Sequence, residues 1–209
     1  MKRWLFSLLL IIPLGLQAQV RLDQPEMYLG IHAGVTGSMV NFSPSVPVQP
    51  FMALGTTAGV GWRYIAERHF GLQIELNYAQ RGWKEQGGFR RQADYIQLPM
   101  MTHLYVGKKV RGYLNLGPQV AYLVAQRSWG TVTSAPQHAL ADNRFDYGFA
   151  GGLGMQFITK AGSYELDARF NYSMGNYFSS RKVDYFSASN HMNIAVTLSW
   201  MWAFNQNRH

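Results

Sequence analysis

The sequence predicts an all-β fold: an eight-stranded antiparallel up-and-down transmembrane β-barrel that follows a cleaved signal peptide. Apolar and polar side chains alternate along eight segments of the chain, and successive side chains of a strand point to opposite faces of its sheet. The connections between these segments alternate between short and long, and a short apolar run stands at the N-terminus. Together these observations indicate an exported protein built from strands with one apolar and one polar face.

Residues 1–19 have the layout of a secretory signal peptide. Lys2 and Arg3 precede an apolar run at 4–16, and cleavage is expected after Ala18 or Gln19. The run is shorter than the ~20 residues that a spanning helix needs, which disfavours the alternative of an N-terminal anchor. The sequence has no cysteine, so it offers no lipoprotein anchor, disulfide or thiolate metal site. We expect residues 20–209 to form one mature domain.

Eight segments show the two-residue period, and we expect each to form one strand. They cover residues 27–40, 51–65, 69–82, 93–107, 110–126, 144–159, 162–175 and 189–204. The third sets Leu72 and Ile74 against Glu75 and Asn77. The fourth is ambiguous, because Pro99 lies within it and both of its faces are mixed.

The later strands follow the same rule. The fifth sets apolar residues such as Leu114 against polar ones such as Asn115, although Pro118 interrupts it. Because proline cannot donate to a ladder, we interpret Pro99 and Pro118 as bulge positions. The seventh alternates from 164 to 173. The eighth is the clearest, and one of its faces carries Met192, Ile194, Val196, Leu198, Trp200, Trp202 and Phe204.

The connections alternate in length, and this predicts the topology. Three are tight turns, at residues 66–68, 108–109 and 160–161. Four are longer and polar, at residues 41–50, 83–92, 127–143 and 176–188. Outer-membrane barrels have an even number of antiparallel strands, short periplasmic turns and longer external loops. We call the two ends of the predicted barrel the short-turn end and the long-loop end.

Aromatic residues are predicted to form two outward-facing girdles. They are Trp62, Tyr64, Phe70, Phe157, Tyr164, Trp200, Trp202 and Phe204 at the short-turn end, and Tyr78, Tyr122, Phe145, Tyr147 and Tyr172 at the long-loop end. Aliphatic residues such as Val60 and Leu116 lie between them. Two aromatic belts around an aliphatic band are typical of a membrane barrel. The alternative is a soluble lipocalin-like barrel whose apolar faces line the lumen.

Composition and charge favour the bacterial outer membrane as the location. The sequence has no second long apolar segment, and a chain that crosses lipid without helices must form a closed barrel. The formal charge of +8 falls to +6 once Lys2 and Arg3 are removed, and the cations are scattered. We therefore expect contacts with outer-membrane lipid and lipopolysaccharide rather than with nucleic acid.

Three short motifs resemble a known family. They are Tyr95-Ile96-Gln97-Leu98-Pro99, Asn115-Leu116-Gly117-Pro118 and Asp146-Tyr147-Gly148-Phe149. With them the mature chain is similar to the PorT-like outer-membrane β-barrel domain of Gram-negative bacteria. The aromatic end of the last strand, Trp200 to Phe204, is similar to the signal that outer-membrane assembly machinery recognises. The resemblance implies this fold and location, and an accessory role in type IX-like protein secretion, the role of the family's namesake.

The predicted lumen carries charges of both signs. The set consists of Arg63, Glu75, His103, Arg111, Glu165, Asp167 and Arg169. An eight-stranded barrel is only wide enough for its side chains to fill, so we expect a packed network of ion pairs and hydrogen bonds. A gated pore or proton path is the alternative.

No enzymatic activity, cofactor or metal is predicted. Asn171-Tyr172-Ser173-Met174-Gly175 resembles the serine region of lipid A deacylases, but no histidine adjoins Ser173 in the sequence, and a serine nucleophile needs a nearby base. The histidines lack metal-ligand spacing, and no helical pattern follows the glycine-rich run 148–154. A lipid-modifying barrel enzyme remains an alternative.

The external loops are the predicted place of function. Aromatic and basic residues dominate contact energetics, and the candidates are Trp83, Arg90, Arg91, Trp129, Arg144, Tyr177, Phe178, Arg181 and Lys182. Such groups suit a protein or glycan partner; the alternative is that they are only ordered against lipopolysaccharide phosphates. We expect a structural, adhesive or assembly component that acts through these loops.

Overall fold

The computed structural model describes residues 21–43, 51–85, 87–130, 140–141, 143–175 and 188–205. Its strands are β1 (Arg21–Ser43), β2 (Phe51–Glu67), β3 (Phe70–Lys84), β4 (Arg90–Gly107), β5 (Val110–Trp129), β6 (Phe145–Thr159), β7 (Gly162–Ser173) and β8 (Ala188–Asn205). The predicted signal peptide, residues 1–19, lies outside the described residues. No helix in the described part of the chain is long and apolar enough to cross a membrane.

The strands form a closed barrel in chain order, and each pairs antiparallel with its neighbours. β8 closes the barrel against β1, along a seam that runs from the Ser43 and Ala188 pair to the Met27 and Asn205 pair. The predicted fold is therefore confirmed, and each predicted strand corresponds to one observed strand. Strand ends differ by a few residues, most at β1, which begins at Arg21 instead of residue 27.

Side chains alternate between a polar interior and an apolar exterior. On β8, Leu198 is 68% exposed whereas its neighbour Thr197 is only 6% exposed. On β3, Leu72 points outward and the adjacent Gln73 is buried. β4 was ambiguous in sequence but alternates regularly from residue 95 to 105. A soluble barrel with an apolar lumen would require the opposite orientation, so the lipocalin-like alternative is wrong.

The connections keep the predicted alternation, with one correction in length. The turns are at residues 68–69, 108–109 and 160–161. The connection predicted at 83–92 is shorter, because β3 continues to Lys84 and β4 begins at Arg90. A compact turn remains at 85–89, where Glu85 N donates to the Phe89 carbonyl oxygen at 2.9 Å. Residues at both ends of the predicted loop extend the β3 and β4 ladder instead.

The two prolines do not mark bulges. In the β4 and β5 ladder the register shift falls between Asp94 and Tyr95, not at Pro99. The β3 and β4 ladder lacks paired residues at Leu98 and Pro99 but resumes in the same register. Pro118 pairs with Phe149 without a shift. A proline removes only one N–H donor. A local gap in the backbone hydrogen bonds between the strands therefore accommodates it, without the extra residue of a β-bulge.

The ladder between β2 and β3 is broken near the long-loop end. Its register shifts between Met52 and Thr57, where residues 53–56 of β2 lie opposite 80–82 of β3. Side chains of β1 satisfy the freed backbone of β3: Thr36 Oγ1 donates to the Gln80 carbonyl oxygen at 2.8 Å. The Gly82 N–H donates to Ser38 Oγ at 2.6 Å. β1 and β3 are not neighbours in the sheet, since β2 lies between them. These hydrogen bonds therefore connect three strands at the break.

Candidate functional site

The first interior ion pair joins opposite sides of the lumen. Arg63 of β2 donates from Nη1 and Nη2 to both carboxylate oxygens of Glu165 on β7, at 2.6 and 2.8 Å. Its Nε donates to Gln73 Oε1 at 2.7 Å. Arg63 is fully buried and Glu165 is 3% exposed. A bidentate, charge-assisted pair of this kind is strong and fixes the orientation of both groups.

A second cluster lies next to it, towards the long-loop end. Arg169 of β7 donates to both oxygens of Glu75 on β3, at 2.5 and 3.0 Å. Its Nη2 also lies 3.1 Å from Asp167 Oδ1. Gln73 and Asn77 donate to Glu75 at 2.5 and 2.8 Å. Gln73 therefore links this cluster to Arg63, and the two ion pairs form one hydrogen-bonded network.

At the short-turn end a third pair crosses the barrel. Arg111 of β5 donates to both oxygens of Glu26 on β1, at 2.7 and 2.9 Å. The Tyr28 hydroxyl donates to the same carboxylate at 2.6 Å, and the guanidinium lies 4.6 Å from the centre of the Tyr105 ring. Cations over aromatic rings are favourable contacts. The Tyr105 ring and the Glu26 carboxylate therefore both hold the Arg111 guanidinium in position.

His103 belongs to the aromatic packing of this end rather than to an ion pair. Its Nδ1 lies 2.7 Å from Asn115 Oδ1, an acceptor, so Nδ1 carries the proton in this contact. The ring centres of Tyr105 and Tyr113 lie 5.7 and 5.1 Å from that of His103. The imidazole is therefore packed inside the lumen, among the buried rings of Tyr105 and Tyr113.

A fourth polar cluster lies nearer the long-loop end. Arg81 Nη1 donates to Asp146 Oδ2 at 2.7 Å and to Ser173 Oγ at 3.0 Å. The Ser173 hydroxyl donates to the same Asp146 oxygen at 2.6 Å. The Arg81 guanidinium lies 4.7 Å from the centre of the Tyr95 ring. These contacts tie β3, β4, β6 and β7 together below the long-loop end.

Ser173 does not have the surroundings of a serine nucleophile in the described part of the chain. Its hydroxyl donates to the Asp146 carboxylate, but that carboxylate is paired with Arg81 and is therefore a weak base for activating a nucleophile. Among the described residues, no group of three or more His, Cys, Asp or Glu side chains is arranged to hold a metal ion.

Apolar side chains fill both ends of the lumen. At the short-turn end the cluster is Tyr28, Ile65, Tyr105, Tyr113 and Met201. At the long-loop end it is Val40, Trp83, Phe89, Ala93, Tyr95, Ala121 and Leu123. Between them a cavity of about 10 Å³, lined by polar side chains that include His32 and Asn171, has room for a single water molecule. The described part of the interior is therefore largely filled by side chains.

All seven residues predicted for the lumen network face the interior and are buried. They are Arg63, Glu75, His103, Arg111, Glu165, Asp167 and Arg169. Sequence reasoning missed Glu26, Arg81 and Asp146, three further members of the ion pairs. The strand period was a usable signal for Arg81 and Asp146, which share their faces with other inward residues. Glu26 gave no such signal, because it precedes the predicted start of its strand.

Two of the predicted loop residues lie inside the barrel. Trp83 is fully buried and Arg91 is 1% exposed. The Arg91 guanidinium lies 5.8 Å from the centre of the Trp83 ring and 5.5 Å from that of Phe89. The alternation of β3 and β4 continues beyond the apolar band, so these two side chains close the lumen instead of facing solvent.

The other predicted contact residues divide into two groups. Arg90 is half-buried, and Trp129 and Arg144 are exposed at the long-loop end. Tyr177, Phe178, Arg181 and Lys182 lie outside the described residues. Arg90 lies over the Trp129 ring, 5.5 Å from its centre.

The predicted girdle residues are on the outer surface. Trp62, Tyr64 and Phe70 are half-buried among their neighbours, and the rest are exposed: Tyr78, Tyr122, Phe145, Tyr147, Phe157, Tyr164, Tyr172, Trp200, Trp202 and Phe204. Stacking within the short-turn girdle is close, with the ring centres of Trp62 and Tyr64 6.1 Å apart. The outward positions between the two groups include Val60, Leu116 and Leu198.

Residues 17–179 match the family described as outer membrane protein β-barrel domain. No curated protein sequence is significantly similar to the chain. The solved structure of OprG from Pseudomonas aeruginosa is similar to it with a TM-score of 0.54 and 9% identity, covering 90% of this chain and 98% of OprG. Ail of Yersinia pestis gives a TM-score of 0.47 and 16% identity, over 85% of this chain and 99% of Ail. At these identities the similarity bears on the fold alone.

Proposed function

This chain belongs to the outer membrane protein β-barrel domain family, and on that premise we propose that it acts through its external surface as a structural, adhesive or assembly component. It is an integral protein of the outer membrane. Short turns face the periplasm in such barrels and longer loops face outward, so the long-loop end is external. We expect outer-membrane lipid, lipopolysaccharide and the assembly machinery to be its general partners.

The filled lumen is the observation that carries this proposal. Charged groups pair across the interior, as Arg63 does with Glu165 and Arg169 with Glu75. Apolar clusters occupy both ends. A conduit would require these pairs to separate in a medium where an unpaired charge is costly. Support for a surface role therefore comes from an interior that offers no passage among the described residues, and the gated pore is not proposed.

The external end offers chemistry that suits a partner. Trp129 is 46% exposed and Arg144 is exposed beside the start of β6. Tryptophan and arginine dominate the energetics of many interfaces. We propose a protein or a surface glycan as the partner of this end, with an affinity set by these side chains and by the connection between β5 and β6.

Complementation of a deletion strain tests the proposal. One variant replaces residues 131–139 by a short Gly-Ser linker, and a matched variant, E165Q/D167N, alters only the lumen. The linker variant should insert normally yet fail to restore the deletion phenotype, while the lumen variant should restore it. Full rescue by the linker variant, together with failure of a lumen variant that its gel migration shows to be folded and inserted, would show that the interior carries the function. Wild-type protein in planar bilayers should give no steady conductance.

A second candidate is an accessory role in type IX-like protein secretion. Its support is the resemblance of the motif 95–99 to the PorT-like family; within that motif Tyr95 and Gln97 face the interior. Loss of the protein should then reduce the secreted fraction of the organism's exported proteins. Normal secretion in the deletion strain would exclude this role. We propose no lipid-modifying activity, because the Asp146 carboxylate that accepts from Ser173 is paired with Arg81.

A further inference from the structure

A cluster of cations lies on the outer wall at the long-loop end, on β3, β4 and β5. Lys84 pairs directly with Arg90, and Arg90 pairs directly with Trp129. Arg127 lies two residues from Trp129 and pairs with Gln92. Directly opposite Cβ atoms lie about 5 Å apart in a sheet, and diagonal neighbours roughly 7–8 Å apart. We call Lys84, Arg90, Arg127 and Trp129 the outer cationic patch.

The patch lies just above the apolar band. Arg127 follows Val124, the last aliphatic outward residue of β5, and Lys84 follows the girdle residue Tyr78 on β3. A strand rises ~3.3 Å per residue and is tilted by ~40° in such barrels. The patch therefore stands roughly 8–15 Å above the band. On β3 and β5 this is the level of polar headgroups, whereas the exposed Met52 and Leu54 of the neighbouring β2 reach the same level.

The charges of the patch are not neutralised within the described part of the chain. None of the ion pairs among the described residues includes Lys84, Arg90 or Arg127. Like charges directly opposite each other destabilise a sheet, so the pairing of Lys84 with Arg90 has a cost that an anion placed between them would remove.

Contacts within the barrel hold Arg90 in place. Its Nη2 donates to the Leu54 carbonyl oxygen at 3.0 Å, across the break in the β2 and β3 ladder. Its guanidinium also lies over the Trp129 ring. Arg90 Nε is buried and has no hydrogen-bond partner among the described residues. The side chain is therefore held in place, and its unsatisfied donor, Nε, is buried beneath the guanidinium contacts.

An open groove adjoins the patch. Its volume is about 370 Å³, and Lys84, Glu85, Phe89, Arg90 and Trp129 contribute to its lining. The one carboxylate, Glu85, accepts a hydrogen bond from Trp83 Nε1 at 3.3 Å. With Arg127 alongside, and with the buried Asp94 diagonal to Arg127 on the neighbouring strand, the surroundings carry three cations and two anions. The excess of positive charge, the aromatic ring and the volume together suit a phosphorylated sugar.

We propose that the outer cationic patch binds the phosphorylated disaccharide headgroup of an outer-leaflet glycolipid of the lipid A class. Phosphate oxygens would lie between Lys84, Arg90 and Arg127, where charge-assisted hydrogen bonds are strong. The Trp129 ring would lie against the sugar at the interface, where amphipathic rings are favoured. This site shares Trp129 with the external surface proposed above, but its cations, Lys84, Arg90 and Arg127, are not part of that proposal, so either proposal can fail without the other.

A binding titration with purified protein in lipid nanodiscs tests the site. The probes are bisphosphorylated lipid A, monophosphoryl lipid A and phosphatidylglycerol. R90Q/R127Q removes two charges from the patch, and K108Q/K109Q removes two exposed charges from the opposite, short-turn end. Each cation near a membrane surface contributes roughly fivefold in affinity, so R90Q/R127Q should bind lipid A about 30-fold more weakly. K108Q/K109Q should bind within twofold of wild type.

The other outcomes decide the proposal as well. Monophosphoryl lipid A should bind several-fold more weakly than the bisphosphorylated form, and phosphatidylglycerol more weakly still. Equal binding of phosphatidylglycerol and lipid A, or equal losses in the two double variants, would overturn the site. The change in gel migration on boiling checks that each variant is folded. K84Q repeats the test with one substitution and an expected loss of about fivefold, so poor folding of R90Q/R127Q leaves a decisive measurement.

Discussion

Neighbouring residues in this barrel experience opposite environments, and Leu198 and Thr197 show the contrast. Leu198 faces lipid and Thr197 faces the lumen. Leu198→Arg, or Ile194→Arg nearby, should lower the free energy of unfolding by ~2–4 kcal/mol, because a cation near the middle of the bilayer is poorly solvated. Denaturant titration of protein folded in vesicles measures this. Thr197→Arg should act through crowding of the lumen instead. A harmless Leu198→Arg alongside a Thr197→Leu that abolishes insertion would reverse the assignment of the faces.

Glycine creates space for a large side chain at one point of the lumen. A Cβ atom at Gly154 would collide with the Cζ and hydroxyl oxygen of Tyr113, whereas one at Gly112 would meet no atom within 4 Å. Gly154→Ala should therefore cost about 1–3 kcal/mol of unfolding free energy through overpacking. Gly112→Ala is the matched control and should change stability little. The same titration compares them, and equal stability of both variants would contradict this account.

Sequence reasoning was reliable for residues in the apolar band and weaker beyond it. The faces of β7 and β8 follow from their two-residue period, because lipid and lumen select different side chains at adjacent positions. Trp83 and Arg91 were placed in a loop, because large aromatic and basic residues between two predicted strands resemble an exposed connection. The structure uses them to close the lumen. The local sequence around Trp83 and Arg91 does not distinguish side chains that close the lumen from side chains of an exposed loop.

At the scale of elements, side-chain hydrogen bonds from β1 hold the break between β2 and β3. Ser38→Ala removes the acceptor of the Gly82 N–H and should cost about 1–3 kcal/mol, because a buried donor is left unsatisfied. Hydrogen exchange at the Gly82 amide should accelerate more than exchange elsewhere in β3. Ser199→Ala, on β8 and away from the break, is the matched control. Uniform acceleration along β3 in the Ser38 variant would show that the break has no local role.

Cross-barrel pairing is the second prediction at this scale. Arg63→Met leaves the Glu165 carboxylate buried without its bidentate partner and should cost about 3–5 kcal/mol. The double variant R63M/E165M should recover most of that loss, because it removes both charges. Unfolding free energies of the three proteins provide the comparison. A double variant as unstable as the single one would mean that Arg63 acts by packing rather than by charge.

Pairing between distant strands was beyond the sequence. Inward charges could be identified from the period, but Glu26 and Arg111 are separated by 85 residues and lie on strands that do not adjoin. Which charges meet depends on the stagger of all the strands between them. Register is set by turn geometry and by the alternation of faces together, so it emerges only once the whole barrel is closed.

At the scale of the whole molecule, closure should give the protein a characteristic behaviour on gels. Because its ladder has no free edge, the folded protein should resist detergent and migrate differently before and after boiling. Cell fractionation should recover it with outer membranes. Recovery of the protein in a soluble periplasmic fraction would contradict the membrane form of the barrel.

The separation of faces also bears on how such a chain changes over evolution. Outward positions need only be apolar, because lipid contacts them without a specific shape, and many inward positions need only be polar and of suitable size. The choice between an apolar and a polar residue at each position is therefore almost enough to decide which face of a strand meets lipid and which meets the lumen. Substitutions within these two classes are expected to leave the architecture intact, and OprG has a similar fold at 9% identity. The two-residue alternation of apolar and polar side chains therefore identifies such a barrel better than the identity of individual residues does.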